Sequence, residues 1–140
     1  MLRRSLRRDG GRGLLHFIGR DAPCPLNPWI RRRIFPGAYT PTLAEVTTHV
    51  LAPAGMSVID VENLRLHYAR TCRQWAERLQ ARAEEARAIV GERIYRTWLL
   101  YLTCSSVAFA GGSIGLYQVL MRKQWDQSFT RPTTREDLYA

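Results

Sequence analysis

From Thr97 to Met121 the chain carries no charged side chain, and arginines close the stretch at both ends, Arg96 and Arg122. A run of that length either spans a bilayer or is buried in a folded core. Its composition favours the core. Thr103, Ser105, Ser106 and Gln118 dilute it, Gly111-Gly112-Ser113 interrupts it, and Tyr117-Gln118-Val119-Leu120 has strand character. Arginine on both flanks removes the charge asymmetry that orients a membrane span. The stretch therefore reads as a helix over Glu92 to Ala110, a glycine stop, and a final strand over Ser113 to Arg122. Helical spacing predicts burial of Ile94, Trp98, Tyr101, Leu102 and Phe109. A small single-span membrane protein is the weaker alternative.

Upstream, Leu64, Tyr68, Cys72, Trp75 and Leu79 recur at helical spacing, with Arg65, Arg73, Glu77, Arg78 and Arg82 mostly elsewhere on the wheel. This predicts an amphipathic helix that Gly91 divides from the next. Thr42-Leu43-Ala44-Glu45 is a capping-box pattern, which places a short helix up to about His49, ended by Pro53-Ala54-Gly55. Met56 to Glu62 alternates around Val58, Ile59 and Val61, as a strand does. Gly13 to Gly19 is a short apolar run bounded by glycines, the pattern of a buried strand, entered from an arginine-rich helix end through an Asp9-Gly10-Gly11 turn. Between Arg20 and Pro41 lie five of the seven prolines, with Trp29, Ile34, Phe35 and Tyr39. Such a segment resists regular structure yet is too aromatic for a disordered linker, so an ordered loop packed on an apolar surface is predicted. Residues 124–140 form a polar tail with few apolar anchors, predicted to be flexible.

At 140 residues and 46% hydrophobic composition the chain suits one domain with a core. Its 21 basic and 12 acidic residues give a formal charge of +9, concentrated before Ile34. No groove-reading helix or aromatic-basic sheet accompanies those arginines, which argues against nucleic acid as the partner. Arg31, Arg32 and Arg33, set among the loop aromatics, are candidates for meeting phospholipid headgroups; the competing reading is a solvated basic loop. Cys24, Cys72 and Cys104 show no Cys-x-x-Cys pair and no metal-site spacing, so they read as reduced, structural thiols. The arginines of the first segment resemble a signal n-region, but the apolar run Leu14 to Ile18 is too short and contains His16, so no secretory signal is read.

Several segments occur in a familiar order: Gly13-Leu14-Leu15-His16-Phe17-Ile18-Gly19, Pro28-Trp29-Ile30 with Ile34-Phe35-Pro36-Gly37, Glu62-Asn63-Leu64 leading to His67-Tyr68-Ala69-Arg70-Thr71, and Ile114 with Gln118-Val119. This succession, from about Leu6 to Lys123, resembles the C-terminal half of the cyclopropane-fatty-acyl-phospholipid synthase family, which includes the mycolic acid cyclopropane synthases. The resemblance implies an α/β fold, the C-terminal part of a class I methyltransferase: a late parallel strand, two further strands, and two long covering helices, with residues 1–123 as the partial domain. It further implies a bicarbonate ion serving as base for the carbocation formed after methyl transfer, with ligands that fall on His16, Ile18 and Tyr68. Without the resemblance, His16 reads as a hydrogen-bonded core histidine and Tyr68 as core packing.

The departures from the family pattern bear on function. The glycine-rich turn after a first strand and the acidic residue after a second, which hold S-adenosylmethionine in such folds, have no counterpart here. Gly10-Gly11-Arg12-Gly13 precedes a strand where a nucleotide loop follows one. No cofactor-binding residue is assigned. The expected function is the C-terminal part of an S-adenosylmethionine-dependent fatty-acyl-phospholipid methyltransferase or cyclopropane synthase, inactive unless a separate chain or missing half supplies the cofactor site. The alternative is a non-catalytic lipid- or partner-binding remnant of that fold. The resemblance implies a bacterial, cytoplasmic protein, peripheral at the inner face of the membrane.

Overall fold

Three strands, β1 (Arg12–Gly19), β2 (Met56–Asn63) and β3 (Gly115–Lys123), form one sheet in the order β1-β3-β2. The computed structural model describes residues 5–7, 10–128, 130 and 134–136. At one end of the β2/β3 pairing the Leu64 amide donates to the Leu116 carbonyl at 2.8 Å, and at the other the Gln124 amide donates to Gly55 at 2.9 Å. Rising numbers on β2 thus meet falling numbers on β3, the antiparallel sense. Gly13 lies against Met121 and Gly19 against Tyr117, which makes β1 antiparallel to β3 as well. β1 and β2 consequently point the same way, with a reversed strand inserted between them. As the central strand, β3 is the most buried of the three, and the uncharged run from Ile114 to Met121 supplies it.

The helices are α1 (Pro28–Arg33), α2 (Leu43–Val46) opening into a π turn (Thr47–Leu51), α3 (Arg65–Ala81) and α4 (Ala83–Gly111). Gly91 breaks α4 with φ 77 and ψ 161, a backbone state open to glycine, as the sequence reading expects of this position. A second break, at Arg82, was not predicted; the helix that starts near Leu64 ends at Ala81 rather than at Gly91. Helix α1 is a further departure, since the proline-rich segment was expected to be irregular. Asn27 Oδ1 accepts from the Trp29 amide at 2.8 Å, and Pro28 at the first helical position is preset to helical φ and has no amide to satisfy. Asn-Pro is therefore the start signal that the proline count obscured.

The chain clusters into two compact units, and each strand contributes to both. One unit comprises residues 1–16, 44–62 and 118–140, with Val46, Leu51, Met56, Val119 and Met121 buried. The other comprises residues 17–43 and 63–117. Its core is Ala69, Cys72, Phe109 and Leu116, with Ile18, Leu64, Tyr68 and Ile114 packed against them. Of the residues predicted to be buried on α4, Leu102 and Phe109 are buried and Tyr101 is half-buried, but Ile94 and Trp98 stay 44% and 41% exposed. Tyr95 is the buried residue of that turn, with the Arg87 guanidinium 4.6 Å from its ring centroid. A neighbouring arginine stem covers it, so periodicity measured from the core misplaces the burial there.

Gly112, with φ 84, ends α4, and the chain turns into β3. The uncharged stretch is thus split between a helix and a strand, and among the described residues no helix is long and apolar enough to cross a membrane. The expectations for Arg3, Arg4, Arg8 and Asp9, and for 129, 131–133 and 137–140 of the polar tail, lie outside the described residues. Within the tail, Arg135 pairs with Asp60 at 2.5 and 2.8 Å.

Candidate functional site

Gly19 ends β1 where a side chain has no room. A Cβ at this position would lie 2.8 Å from the Tyr117 ring and 3.0 Å from the Pro41 carbonyl. Tyr117 is held there by Phe17, at 5.5 Å between centroids, and by its hydroxyl, which donates to Asp21 Oδ1 at 2.9 Å. The bounding glycine of the apolar run thus lets the end of β1 pack against the Tyr117 ring and the Pro41 carbonyl of the same unit.

Above this contact lies a cavity of about 430 Å³, of the size that takes small ligands. β1 contributes Phe17 and Ile18, the segment around α1 contributes Leu26, Ile30, Phe35 and Tyr39, and α4 contributes Tyr101, Ser105, Ala108 and Phe109. Phe35 meets Tyr101 edge-to-face at 5.7 Å, so the proline-rich segment packs on an apolar surface as its aromatic composition requires. Burial, opposed by a hydrogen bond with Ser105, pushes the Tyr101 hydroxyl above its ordinary pKa. Arg20 is the one charged residue among the described lining residues, and its Nε is buried without a partner among the described residues.

Tyr68 stands on the first turns of α3, edge-to-face with Phe109 at 4.9 Å and with Trp75 at 5.9 Å. Ile18 packs on the same cluster, so the structure brings these two predicted residues together. Burial, and then proximity to Cys72 and Tyr101, raises the Tyr68 pKa; the hydroxyl remains a neutral donor at physiological pH. Arg65 positions α3 against α4: its Nη1 donates to the carbonyls of Phe109 (2.8 Å) and Ala110 (2.6 Å), the orphan acceptors of the helix end. Ser106 Oγ adds a bond to the Ala69 carbonyl at 2.9 Å.

His16, in the first unit, is exposed, with Nδ1 3.3 Å from Gln118 Nε2. Arg31, Arg32 and Arg33 are exposed at the end of α1.

The glycines ahead of β1 have packing roles of their own. Gly10 (φ 66) donates its amide to Asp126 Oδ2 at 3.0 Å, and a Cβ on Gly11 would meet the Arg7 carbonyl at 2.7 Å. Both serve the packing of the strand entry. Among the described residues no group of three or more His, Cys, Asp or Glu side chains is placed to hold a metal ion.

The family model for mycolic acid cyclopropane synthetase matches residues 2–119. The chain belongs to this family. It is 38% identical over 139 residues to a probable fatty acid methyltransferase of Pseudomonas putida, a match covering 94% of this chain and 35% of that protein. A cyclopropane mycolic acid synthase of Mycobacterium tuberculosis is 36% identical over 110 residues, covering 74% and 38%. The solved structure of a cyclopropane synthase from the same organism superposes with a TM-score of 0.73 at 32% identity, covering 81% of this chain and 45% of that one. A mycolic acid cyclopropane synthase complexed with SAH and CTAB gives 0.76 at 29% identity, covering 86% and 46%. The chain thus spans about a third of the length of the curated relatives it matches and just under half of the solved chains. Its fold is the C-terminal part of a class I methyltransferase.

Of the residues singled out in the sequence, Ile18 lines the cavity and Tyr68 packs on the adjoining core, whereas Tyr101, Ser105 and Phe35 carry no sequence assignment as lining residues. Tyr101 and Ser105 are one turn apart on a stripe of otherwise apolar residues, a pairing that marks a half-buried hydroxyl near a hollow.

Proposed function

We propose that this chain is the acyl-binding part of an S-adenosylmethionine-dependent fatty-acyl-phospholipid methyltransferase or cyclopropane synthase acting on unsaturated acyl chains. The cavity of about 430 Å³ walled by Phe17, Ile18, Phe35, Tyr101 and Phe109 carries this reading, because it offers an unsaturated hydrocarbon chain a largely apolar lining. When bound, S-adenosylmethionine supplies an electrophilic methyl group; its cradle belongs to residues outside these 140, in the same polypeptide or a separate chain, and without it the chain is inactive. His16, Ile18 and Tyr68 are assigned to the bicarbonate site on family resemblance. The neutral hydroxyl of Tyr68 suits it as a donor to an anion, and His16 is exposed at the strand where it stands.

The test is displacement-sensitive binding of cis-parinaric acid, a fluorescent unsaturated fatty acid. Wild-type chain is expected to bind it, and Ala108→Phe, which fills the cavity, to abolish binding with the fold retained by circular dichroism. Unchanged binding by this variant overturns the reading. In the enzyme completed with a cofactor-binding half, Tyr68→Phe and His16→Gln are expected to lower kcat with little change in KM. A second reading, a non-catalytic lipid- or partner-binding remnant, draws on the exposed Ile89, Leu100 and Val107 of α4. It stands instead if fatty acid binds but the completed protein transfers no methyl group.

A further inference from the structure

A second hollow of the same unit, a cleft of about 550 Å³, is lined by Trp29, Arg32 and Arg33 from α1 and by Arg93, Thr97 and Trp98 from α4, beside Ile94. Among the described residues no carboxylate lines it. Glu92, the acidic residue next to Arg93, is engaged by Arg87 at 2.7 Å and Arg96 at 3.2 Å. Three guanidinium groups therefore share one cleft with no carboxylate partner among the described residues, an arrangement of like charges that an anion relieves. Guanidinium forks suit phosphate oxygens, and indole rings suit the boundary between headgroup and hydrocarbon.

The cleft and the apolar cavity use the same two helices as walls. On α1, Ile30 lines the cavity while its neighbours Trp29, Arg32 and Arg33 line the cleft. On α4, Tyr101 lines the cavity and Trp98, one turn earlier, lines the cleft. The rings of Trp98 and Tyr101 meet at 5.7 Å, and Tyr101 meets Phe35 at 5.7 Å, an aromatic wall running from one hollow to the other. From Thr97 to Tyr101 the helix rises only about 6 Å, so an amphiphile with its chain in the cavity has its polar end within reach of the arginines.

We infer that this cleft binds the anionic phosphate headgroup of a phospholipid whose acyl chain enters the adjoining cavity. The inference rests on the acyl-binding reading above and adds the headgroup, its charge, and Arg93 and Trp98 as recognition residues. Arg31, exposed on the same helix, does not line the cleft and serves as the internal control.

The experiment is co-sedimentation of the intact chain with vesicles of phosphatidylglycerol or of phosphatidylcholine, with cis-parinaric acid binding measured in parallel. Phosphatidylglycerol is expected to be preferred. Arg93→Gln and Arg32→Gln are each expected to weaken that binding about fivefold, Arg31→Gln to leave it unchanged, and all three to bind parinaric acid as wild type does. Equal weakening by Arg31→Gln overturns the site in favour of a diffuse basic surface. Equal sedimentation with phosphatidylcholine overturns the requirement for anionic charge, and displacement by millimolar inorganic phosphate at matched ionic strength overturns the lipid as the source of the phosphate. Loss of parinaric acid binding in the wild type overturns the acyl reading itself, a result separable from the other three.

Discussion

In the unit formed by residues 17–43 and 63–117, Tyr68 meets Phe109 and Trp75 edge-to-face, Tyr68 and Phe109 belong to the core that buries Cys72, and Phe109 also lines the apolar cavity. In the unit formed by residues 1–16, 44–62 and 118–140, segments far apart in sequence are tied by polar contacts. Gly10 donates to Asp126, Lys123 Nζ to the Leu6 carbonyl at 3.0 Å, Gln124 Nε2 to the Met56 carbonyl at 3.3 Å, and Arg135 pairs with Asp60. Burial is non-directional and tolerates a hollow, whereas hydrogen bonds fix chain segments at points and are worth little each when water competes. The unit that holds the cavity proposed for a hydrocarbon chain is the one built on rings.

The sharpest way to break this contrast is Phe109→Ala. Phe109 is 1% exposed and touches Tyr68, so its truncation is expected to cost about 3–5 kcal/mol in chemical denaturation. Hydrogen exchange should show protection lost first over 65–111. A cost under about 1 kcal/mol refutes a ring-based core. Next in size is Gly19→Ala, which drives a Cβ into the Tyr117 ring and the Pro41 carbonyl and is expected to cost about 1–3 kcal/mol, read as a lowered Tm.

Titration separates the units by sign. Burial raises the Cys72 thiol above its ordinary 9.0 and the hydroxyls of Tyr68, Tyr101 and Tyr117 above 10.0. Their contribution is fully present below those values and is lost as pH rises through the folded ones, because the unfolded chain sheds its protons first. The Asp126 carboxyl, by contrast, is lowered from 3.8, chiefly by the Ser128 hydroxyl and also by the Gly10 amide. Its contribution is present above 3.8 and is lost as pH falls through the folded value. Exchange protection measured across pH should therefore fade in the ring-based unit in alkali and around Gly10 and Asp126 in acid; the reverse order refutes the assignment. The smallest effect is expected for Arg73→Gln, below about 1 kcal/mol, since both partners of the Arg73–Glu77 pair, 3.8 Å apart, are 65% and 66% exposed.

Much of this was legible in the residues. The glycine-bounded run became β1, Met56 to Glu62 became β2 with one more residue, Gly91 and Gly112 broke the backbone where glycine permits, and the uncharged stretch resolved into helix, turn and strand. Local signals sufficed there because each is a property of a few consecutive residues. Sequence pattern and structure part where two signals overlap. Proline content masked the Asn27-Pro28 helix start, and a uniform helical period hid the break at Arg82 and placed Ile94 and Trp98 inward while Tyr95 took the buried position under Arg87. Of the candidate site, family resemblance pointed to His16, Ile18 and Tyr68. Arg65 reads on the helical wheel as one more solvated cation, yet it caps the end of α4 some 44 residues away.

The amino-acid order by itself determined the α/β class, the strand and helix succession and the family, because periodicity, glycine conformational freedom and motif order are carried along the chain. Only the tertiary structure decided which strand is central, that Tyr101, Phe35 and Ile18 wall one cavity, and that Arg32, Arg33 and Arg93 share a cleft between Trp29 and Trp98. Those are contacts between residues tens of positions apart, and no local propensity encodes which distant side chains will meet.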